Sequence, residues 1–209
     1  MIRLVALYLF LAYVTHLKAQ DFQPDFSQWG ISIIHQAKAA SLSLLATKQE
    51  RDVIFYSNLA RLNGKLFVKT ILLPYLEAQG DTDLNDFYLS SLIADLNRLP
   101  RLKPLRSSQL LTKMAKEYAT SSGKAGIIGH KNFDQRFSSL YRSGCTVGEN
   151  CAYRQQNALD AVIDLLIDQD ELSLGHRRNI LSPDFTRVGV GIAPHRDYEN
   201  VWVMEFLGQ

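Results

Sequence analysis

Two histidines and one glutamate of this 209-residue chain could do chemistry together, and each follows directly on a glycine. They are His130, Glu149 and His176. Glycine permits backbone angles and close approaches that suit side chains directed into a cleft. Two imidazoles and a carboxylate are also a plausible ligand set for zinc or another divalent cation. A lone surface histidine is usually just a hydrogen-bonded surface residue, so the hypothesis depends on the three residues acting together.

Hydrophobic patterns predict the elements that must position these residues. Thr47 and Glu50 form a capping-box pattern that opens a helix ending near Leu62. Three further helices are predicted from apolar spacing, over residues 89–96, from Ser107 or Ser108 onward, and over 158–165. Alternation over residues 188–193 and a β-rich run over 201–206 predict a terminal hairpin. Helices followed by a hairpin indicate an α+β fold, with helices packed on an antiparallel sheet.

The first residues have the composition of an export signal. Arg3 precedes an uncharged apolar stretch over residues 4–14, and Ala19 supplies a small residue for cleavage. We therefore expect a signal peptide over residues 1–19, with an uncleaved anchor as the alternative. Residues 20–47 are then a linker followed by a helix, and no later run is apolar enough to span a bilayer. The mature protein is expected to be secreted, periplasmic or at the cell surface.

The chain has two cysteines, Cys145 and Cys151, in a spacing that matches neither a redox motif nor a four-ligand zinc site. In an oxidising compartment, two cysteines this close in sequence are expected to form a disulfide. The alternative is a pair of free, packed thiols. A bridge here would constrain the loop that carries Glu149.

The amino-acid composition and net charge limit the classes of molecule that the protein is expected to bind. With 46% hydrophobic and 21% charged residues the chain can bury a core, and its net charge of +2 is too small to favour nucleic acid. The densest basic cluster lies beside two prolines and is interpreted as a solvated loop rather than a binding patch. Its members are Arg98, Arg101, Lys103 and Arg106.

Three motifs in this order resemble the CAP superfamily in its bacterial form. They are G-H-x-x-F at residues 129–133, G-E-N-x-A-Y at 148–153, and G-H-R-x-N-I-L-x-P-x-F-T-x-V-G-V-G-I-A at 175–193. The superfamily comprises cysteine-rich secretory proteins, antigen 5 and pathogenesis-related 1 proteins. The resemblance implies a domain over residues 48–209, with an insertion around 63–91. It also implies a three-layer α-β-α sandwich with a small antiparallel central sheet.

The resemblance further implies a groove lined by two histidines and two acidic residues. His130, Glu149 and His176 match three of the four, and they are the residues that would hold a metal. The fourth should lie near the end of the helix before His176. Asp168 is the preferred candidate if that helix extends far enough, while Asp170 and Glu171 stay open.

Three other side chains have simpler interpretations. His195 is expected to be an exposed histidine at the hairpin tip, and Trp202 is expected in the core. Arg177 is expected to make a charge-assisted hydrogen bond to a nearby carboxylate.

The sequence indicates the function of the protein less directly than its fold. The resemblance favours a secreted binding module for a lipid, a cell-wall fragment or an exported protein, rather than an enzyme. A metal-dependent hydrolase in which the ion activates water is the first alternative. Against it, the sequence has neither an H-E-x-x-H motif nor a G-x-S-x-G motif. The second alternative is a purely structural polar network.

Overall fold

The computed structural model of the protein describes residues 22–80, 83–169 and 171–208. The predicted signal peptide, residues 1–19, lies outside these residues. Within the described ranges, no helix combines the length and the apolar character that crossing a bilayer requires.

The first half of the described chain is helical. The elements are α1 (Ile31–Ser41), α2 (Lys48–Leu62), α3 (Gly64–Phe67), a π-helical turn (Val68–Leu72), α4 (Leu73–Gln79) and α5 (Phe87–Arg98). The predicted capping box of α2 is confirmed. The Thr47 hydroxyl accepts from the Glu50 N–H, and the Glu50 carboxylate accepts from the Thr47 N–H at 2.7 Å.

The second half supplies the sheet and the helices around it. Its elements are β1 (Arg106–Ser107), α6 (Gln109–Ala125), α7 (Phe133–Arg142), β2 (Thr146–Tyr153), α8 (Ala158–Ile167), α9 (Gly175–Leu181), β3 (Phe185–His195) and β4 (Glu199–Gly208). The strand order is β1-β3-β4-β2. β4 pairs antiparallel with both β2 and β3, so the α+β class and the terminal hairpin are confirmed. The predicted sheet differs in one detail, because the two-residue β1 adds a parallel edge to β3.

Helices cover both faces of this sheet. On one face, Trp202, Met204 and Phe206 of β4 belong to the large core that also includes residues of α2, α5 and α8. On the other face, Val201 and Val203 pack with α6. Alternate residues of one strand therefore serve two separate cores, which is the expected three-layer arrangement. Trp202 is buried in the larger core, as predicted.

Helix α6 lies unusually close to β3, because the strand has glycines where the two meet. A Cβ atom built on Gly189 would lie 2.0 Å from the carbonyl carbon of Leu111. One built on Gly191 would lie 2.4 Å from the carbonyl carbon of Ala115. The helix backbone thus rests directly on the strand backbone, and this contact fixes the position of α6.

The predicted disulfide is wrong: Cys145 and Cys151 are both free. Cys145 directly precedes β2, and Cys151 lies well inside it. A strand rises about 3.3 Å per residue, so the two Cα atoms are on the order of 20 Å apart. A disulfide requires Cα atoms within about 7 Å. The short sequence spacing would have allowed a bridge in a loop, but an extended strand excludes it.

Candidate metal and ligand site

The structure places four predicted site residues together as two imidazole–carboxylate pairs. Nδ1 of His130, in the turn before α7, lies 2.8 Å from Oε1 of Glu149 on β2. Nδ1 of His176, in the first turn of α9, lies 2.7 Å from Oδ1 of Asp168. The centroids of the two imidazole rings are 6.2 Å apart. The two rings are partly exposed, and the two carboxylates beneath them are buried.

In both pairs the carboxylate determines which ring nitrogen of the imidazole carries the hydrogen. A carboxylate is only an acceptor, so each neutral ring carries its hydrogen on Nδ1 and leaves a lone pair on Nε2. Neither Nε2 atom has a hydrogen-bond partner among the described residues. Histidines that bind metals are commonly oriented in this way, with the second ring nitrogen donating to a carboxylate. The geometry therefore suits Glu149 and Asp168 to orienting the histidines rather than to binding an ion themselves.

Asp168 is held by backbone as well as by its side chain. Helix α8 ends one residue earlier, and Asp168 is its C-cap in the left-handed conformation, with φ of 59°. Its Oδ2 atom accepts from the backbone N–H groups of His176 and Arg177 at 2.9 and 3.1 Å. One carboxylate thus fixes both the ring of His176 and the first turn of α9. Of the alternatives, Glu171 is exposed and bonds to Ser173, and Asp170 lies outside the described residues.

Two tyrosines hold the loop that carries His130. The Tyr118 hydroxyl of α6 donates to the carbonyl of Gly129 and accepts from the N–H of Lys131 at 2.9 Å. The Tyr153 hydroxyl of β2 accepts from the N–H of Gly129 at 2.8 Å. The backbone is therefore fixed on both sides of His130. The apolar spacing of this helix predicts an inward position for Tyr118 but gives no sign of its contact with the His130 loop.

Tyr118→Phe tests this anchoring. The change keeps the ring and removes one hydroxyl that serves two backbone groups, so we expect a loss of about 1–3 kcal/mol in the free energy of unfolding. Urea denaturation measures that loss. Nitrogen-15 NMR of the imidazoles should show a smaller population of the Nδ1–H tautomer of His130, while that of His176 is unchanged. Equal changes at both histidines would contradict a local role for Tyr118.

A second acidic residue lies below the His130 pair and was missed in the sequence. Glu205 of β4 is in direct register with Glu149 of β2, and both are buried. Arg136 of α7 bridges them, with Nη1 2.6 Å from Oε2 of Glu149 and 2.8 Å from Oε1 of Glu205. The guanidinium also stacks on the ring of Tyr118, 3.7 Å from its centroid. The sequence did contain a signal for Glu205, because it is a charged residue between two apolar neighbours in a predicted strand.

The protonation states of this cluster follow from burial and charge. Burial and the nearby charge of Glu149 raise the pKa of Glu205 to about 9. Burial acts in the same direction on Glu149, but hydrogen bonds from His130 and Arg136 outweigh it and hold the pKa of Glu149 below its usual value. At neutral pH the two carboxyl groups therefore share one proton. The remaining negative charge is matched by Arg136.

Cys151 lies beside the same pair, with its Sγ 3.8 Å from Nδ1 of His130. Ligand atoms of His130, Glu149 and Cys151 all lie within 4.8 Å of one another, so this group could hold a metal ion. However, burial and the charges of Glu149 and Glu205 raise the pKa of the Cys151 thiol well above its usual value. Arg136 already neutralises Glu149. The free Nε2 atoms of the two histidines therefore fit a cation better.

Arg177 connects the His176–Asp168 pair to the helices of the core. Its guanidinium is buried and lies 3.0 Å from a carboxylate oxygen of Asp95, which confirms the expected charge-assisted bond. It also donates to backbone carbonyls of α5 and α8, including that of Leu166 at 2.7 Å. Arg177 thereby joins three helices beneath His176.

His195 is not an exposed turn residue, so that expectation is wrong. Only 4% of its surface is accessible. Its ring packs against those of Tyr153 and Tyr198, at centroid distances of 5.4 and 5.3 Å, and the two tyrosine rings also contact each other at 5.6 Å. The hairpin turn folds Tyr198 over the imidazole, which the strand pattern alone did not indicate.

Comparisons with known proteins identify relatives of the chain. The sequence model of the cysteine-rich secretory protein family (CAP) matches residues 92–206, more than half of the chain. The protein YkwD of Bacillus subtilis (strain 168), named as uncharacterized, is 28% identical over 113 residues, which are 52% of this chain and 41% of YkwD. The chain thus spans less than half the length of that relative.

Two solved structures show weaker similarity. An extracellular protein containing an SCP domain from Bacillus anthracis is 22% identical, with 58% of this chain and 38% of that chain covered and a TM-score of 0.41. An outer surface protein from Borrelia burgdorferi is 23% identical, with 61% of this chain and 92% of that chain covered and a TM-score of 0.42.

Proposed function

The chain belongs to the cysteine-rich secretory protein family, and from this we propose that it is an exported binding module whose groove holds a divalent cation between His130 and His176. One observation carries the proposal. Each imidazole has Nδ1 on a buried carboxylate and Nε2 without a protein partner, and the two rings are 6.2 Å apart. The ligand class we propose is a lipid, a cell-wall fragment or another exported protein.

The residues present fit a zinc-like ion. Two neutral imidazoles are common zinc ligands, and the incomplete protein ligand set leaves positions open for water or for an oxygen of a bound molecule. When bound, the ion would supply positive charge to anchor such an oxygen. Glu149 and Asp168 would keep the two rings in place and in the correct tautomer. The family resemblance included Glu149 among the metal-holding residues, whereas the hydrogen-bond geometry favours an orienting role.

The states of the buried groups favour binding over hydrolysis. A carboxylate or thiolate that serves as general base or nucleophile in hydrolysis must be free to take a proton or to attack the substrate. Arg136 and His130 hold the pKa of Glu149 below its usual value, and burial keeps the Cys151 thiol protonated. Asp168 is occupied by the ring of His176 and by two backbone groups. A purely structural network would not require the partial exposure of both imidazoles.

Calorimetric titration with zinc at pH 7.5 tests the proposal. We expect one bound ion for each wild-type molecule, and no measurable binding by His130→Ala or His176→Ala. Asp168→Asn retains the shape of the side chain but weakens its pull on Nδ1, so we expect a roughly 10–100-fold loss of affinity. Affinity should also fall in acid, because a protonated imidazole cannot bind a cation.

His35→Ala is the matched control, because this imidazole is exposed on α1, a helix that packs against α2 and β1. It should bind zinc like the wild type. The proposal fails if the wild type binds no zinc, or if His35→Ala loses binding as completely as the other two variants.

A further inference from the structure

A second surface differs from the histidine site in its chemistry and concentrates positive charge, although one of its residues, Arg178, lies on the same helix as His176. Residues 98–106 and 178–187 contain six basic residues and one acidic residue, Asp184, although the whole chain has a net charge of only +2. We call this surface the basic strip, and its members are Arg98, Arg101, Lys103, Arg106, Arg178 and Arg187. The sequence pattern alone indicated four of them and favoured a solvated loop.

One buried side chain brings the two halves of the basic strip together. Arg61 of α2 is fully buried and donates to the carbonyl of Lys103 at 3.0 Å. It also donates to the carbonyls of Ser182 and Phe185, at 2.7 and 3.0 Å. The two segments therefore run side by side over one guanidinium. They end in the parallel pairing of β1 with β3, where Arg106 lies directly opposite Arg187.

Two cavities lie along the basic strip. The first, of about 480 Å³, has Arg98 and Arg178 at its wall, with apolar side chains of Leu99, Pro100 and Leu181 beside them. The ion pair of Asp95 with Arg177 also lines this cavity. The second, of about 310 Å³, is lined by Lys103, Arg106 and Arg187, together with Pro104 and Thr186. Each cavity thus presents at least two cationic side chains to the same volume.

The charges of the basic strip are not balanced within the described part of the protein. None of its six basic side chains has a carboxylate oxygen within 4.0 Å there, and the nearby Asp95 is paired with Arg177 instead. Arg106 and Arg187 are both exposed and directly opposite each other. Like charges in that position destabilise a sheet. An anion between them would remove this cost.

We propose that the basic strip binds a linear polyanion with closely spaced phosphate groups, with one phosphate in each cavity. Arginine forks match phosphate oxygens in pairs, and the arginines of the basic strip have no competing acid partner among the described residues. A single phosphate in so open a cavity would bind weakly. Two linked phosphates would make the second contact intramolecular and raise the apparent affinity by roughly 10²–10⁴-fold. The proposal is independent of the histidine pair, so either can fail alone.

Inorganic polyphosphate and orthophosphate, compared at equal total phosphate, are the probes. Fluorescence titration of the mature protein beginning at Gln20 should show polyphosphate binding at least about 100-fold tighter than orthophosphate. The logarithm of the affinity should fall with the logarithm of salt concentration with a slope of about −3 to −4, as expected for about four to six neutralised charges. Equal affinity for the two probes would overturn the proposal.

Paired substitutions locate the site. Arg106→Gln/Arg187→Gln and Arg98→Gln/Arg178→Gln should each weaken polyphosphate binding at least about tenfold. The control, Lys48→Gln/Lys113→Gln, removes the same charge from exposed side chains on α2 and α6 and should change binding less than about threefold. Without ligand, Arg106→Gln/Arg187→Gln should unfold at the same temperature as the wild type or a higher one. That result would exclude misfolding as the cause of its weaker polyphosphate binding. An equal loss in the control pair would show only unspecific attraction.

Vesicles and single-stranded DNA distinguish other polyanions. Leu42 and Leu44 protrude from the loop after α1, with 70% and 95% of their surfaces exposed. If the protein binds phosphatidylglycerol vesicles but not polyphosphate, and Leu42→Ser/Leu44→Ser abolishes that binding, the partner is a membrane and the proposal is wrong. If oligothymidylate binds more than about tenfold tighter than polyphosphate of equal charge, the protein recognises nucleic-acid bases, and the polyphosphate proposal is wrong.

Discussion

Gly189→Ala is expected to destabilise the protein by at least about 3 kcal/mol, a large share of the roughly 5–15 kcal/mol by which a typical domain is stable. The new Cβ atom would lie 2.0 Å from the carbonyl carbon of Leu111 and 2.1 Å from the amide nitrogen of Thr112. Both are backbone atoms within α6, so no side chain can rotate away. Relief would require the helix to move off β3, and α6 carries Tyr118, which anchors the His130 loop.

Gly30→Ala is the matched control for this substitution. A Cβ atom on Gly30 would meet no atom within 4 Å, and its φ of −62° is ordinary for any residue. Its cost should stay below about 1 kcal/mol, the usual range for a weaker N-cap. Thermal and urea denaturation monitored by circular dichroism measure both variants. If Gly189→Ala is as stable as Gly30→Ala, the backbone contact between α6 and β3 is wrong.

Arg136→Met has the second large expected effect, a loss of about 3–5 kcal/mol at neutral pH. The substitution keeps the apolar stem over Tyr118 but leaves Glu149 and Glu205 buried opposite each other without a cation. In the folded variant the pKa of both carboxyl groups would lie above the unfolded value. Such groups favour the folded state below the unfolded pKa, and that stability is lost as pH rises. The variant should therefore approach the wild type near about pH 4.5 and fall furthest behind at about pH 8–9.

Glu205→Gln in the same background provides the control. It removes the carboxyl group whose pKa burial and Glu149 raise to about 9, while it keeps the shape of the side chain. Added to Arg136→Met, it should recover at least about 1 kcal/mol at pH 8 and reduce the dependence on pH. Denaturation between about pH 4.5 and pH 9 measures the whole cycle. A pH-independent loss in Arg136→Met would show that packing, rather than charge, is the role of Arg136.

Local signals in the sequence predicted much of the architecture. The α2 capping box depends on residues three apart, and the β3–β4 hairpin depends on alternation within each strand. Both are determined by near neighbours, and both are confirmed. The motifs around residues 129–133, 148–153 and 175–193 indicated the family, and the family match bears this out.

Features that depend on distant contacts could not be predicted in this way. Glu205 contributes to the site only because β2 and β4 pair in register, and Tyr118 does so because α6 rests on the glycines of β3. The predicted disulfide failed for a related reason, since the sequence spacing did not indicate that Cys151 lies within an extended strand. Asp168 was preferred on the condition that its helix continued that far. It lies beside His176 although the helix ends at Ile167, because its left-handed cap turns the carboxylate toward α9.

Anomalous diffraction at the zinc absorption edge, from crystals of the protein grown with zinc, tests the central claim most directly. The claim is that His130 and His176 bind one cation through Nε2 while Glu149 and Asp168 keep their contacts to Nδ1. The predicted result is a single anomalous peak between the two imidazole rings, with both contacts to Nδ1 intact. A peak bounded instead by Glu149 and Cys151, or no peak at either histidine, would contradict it.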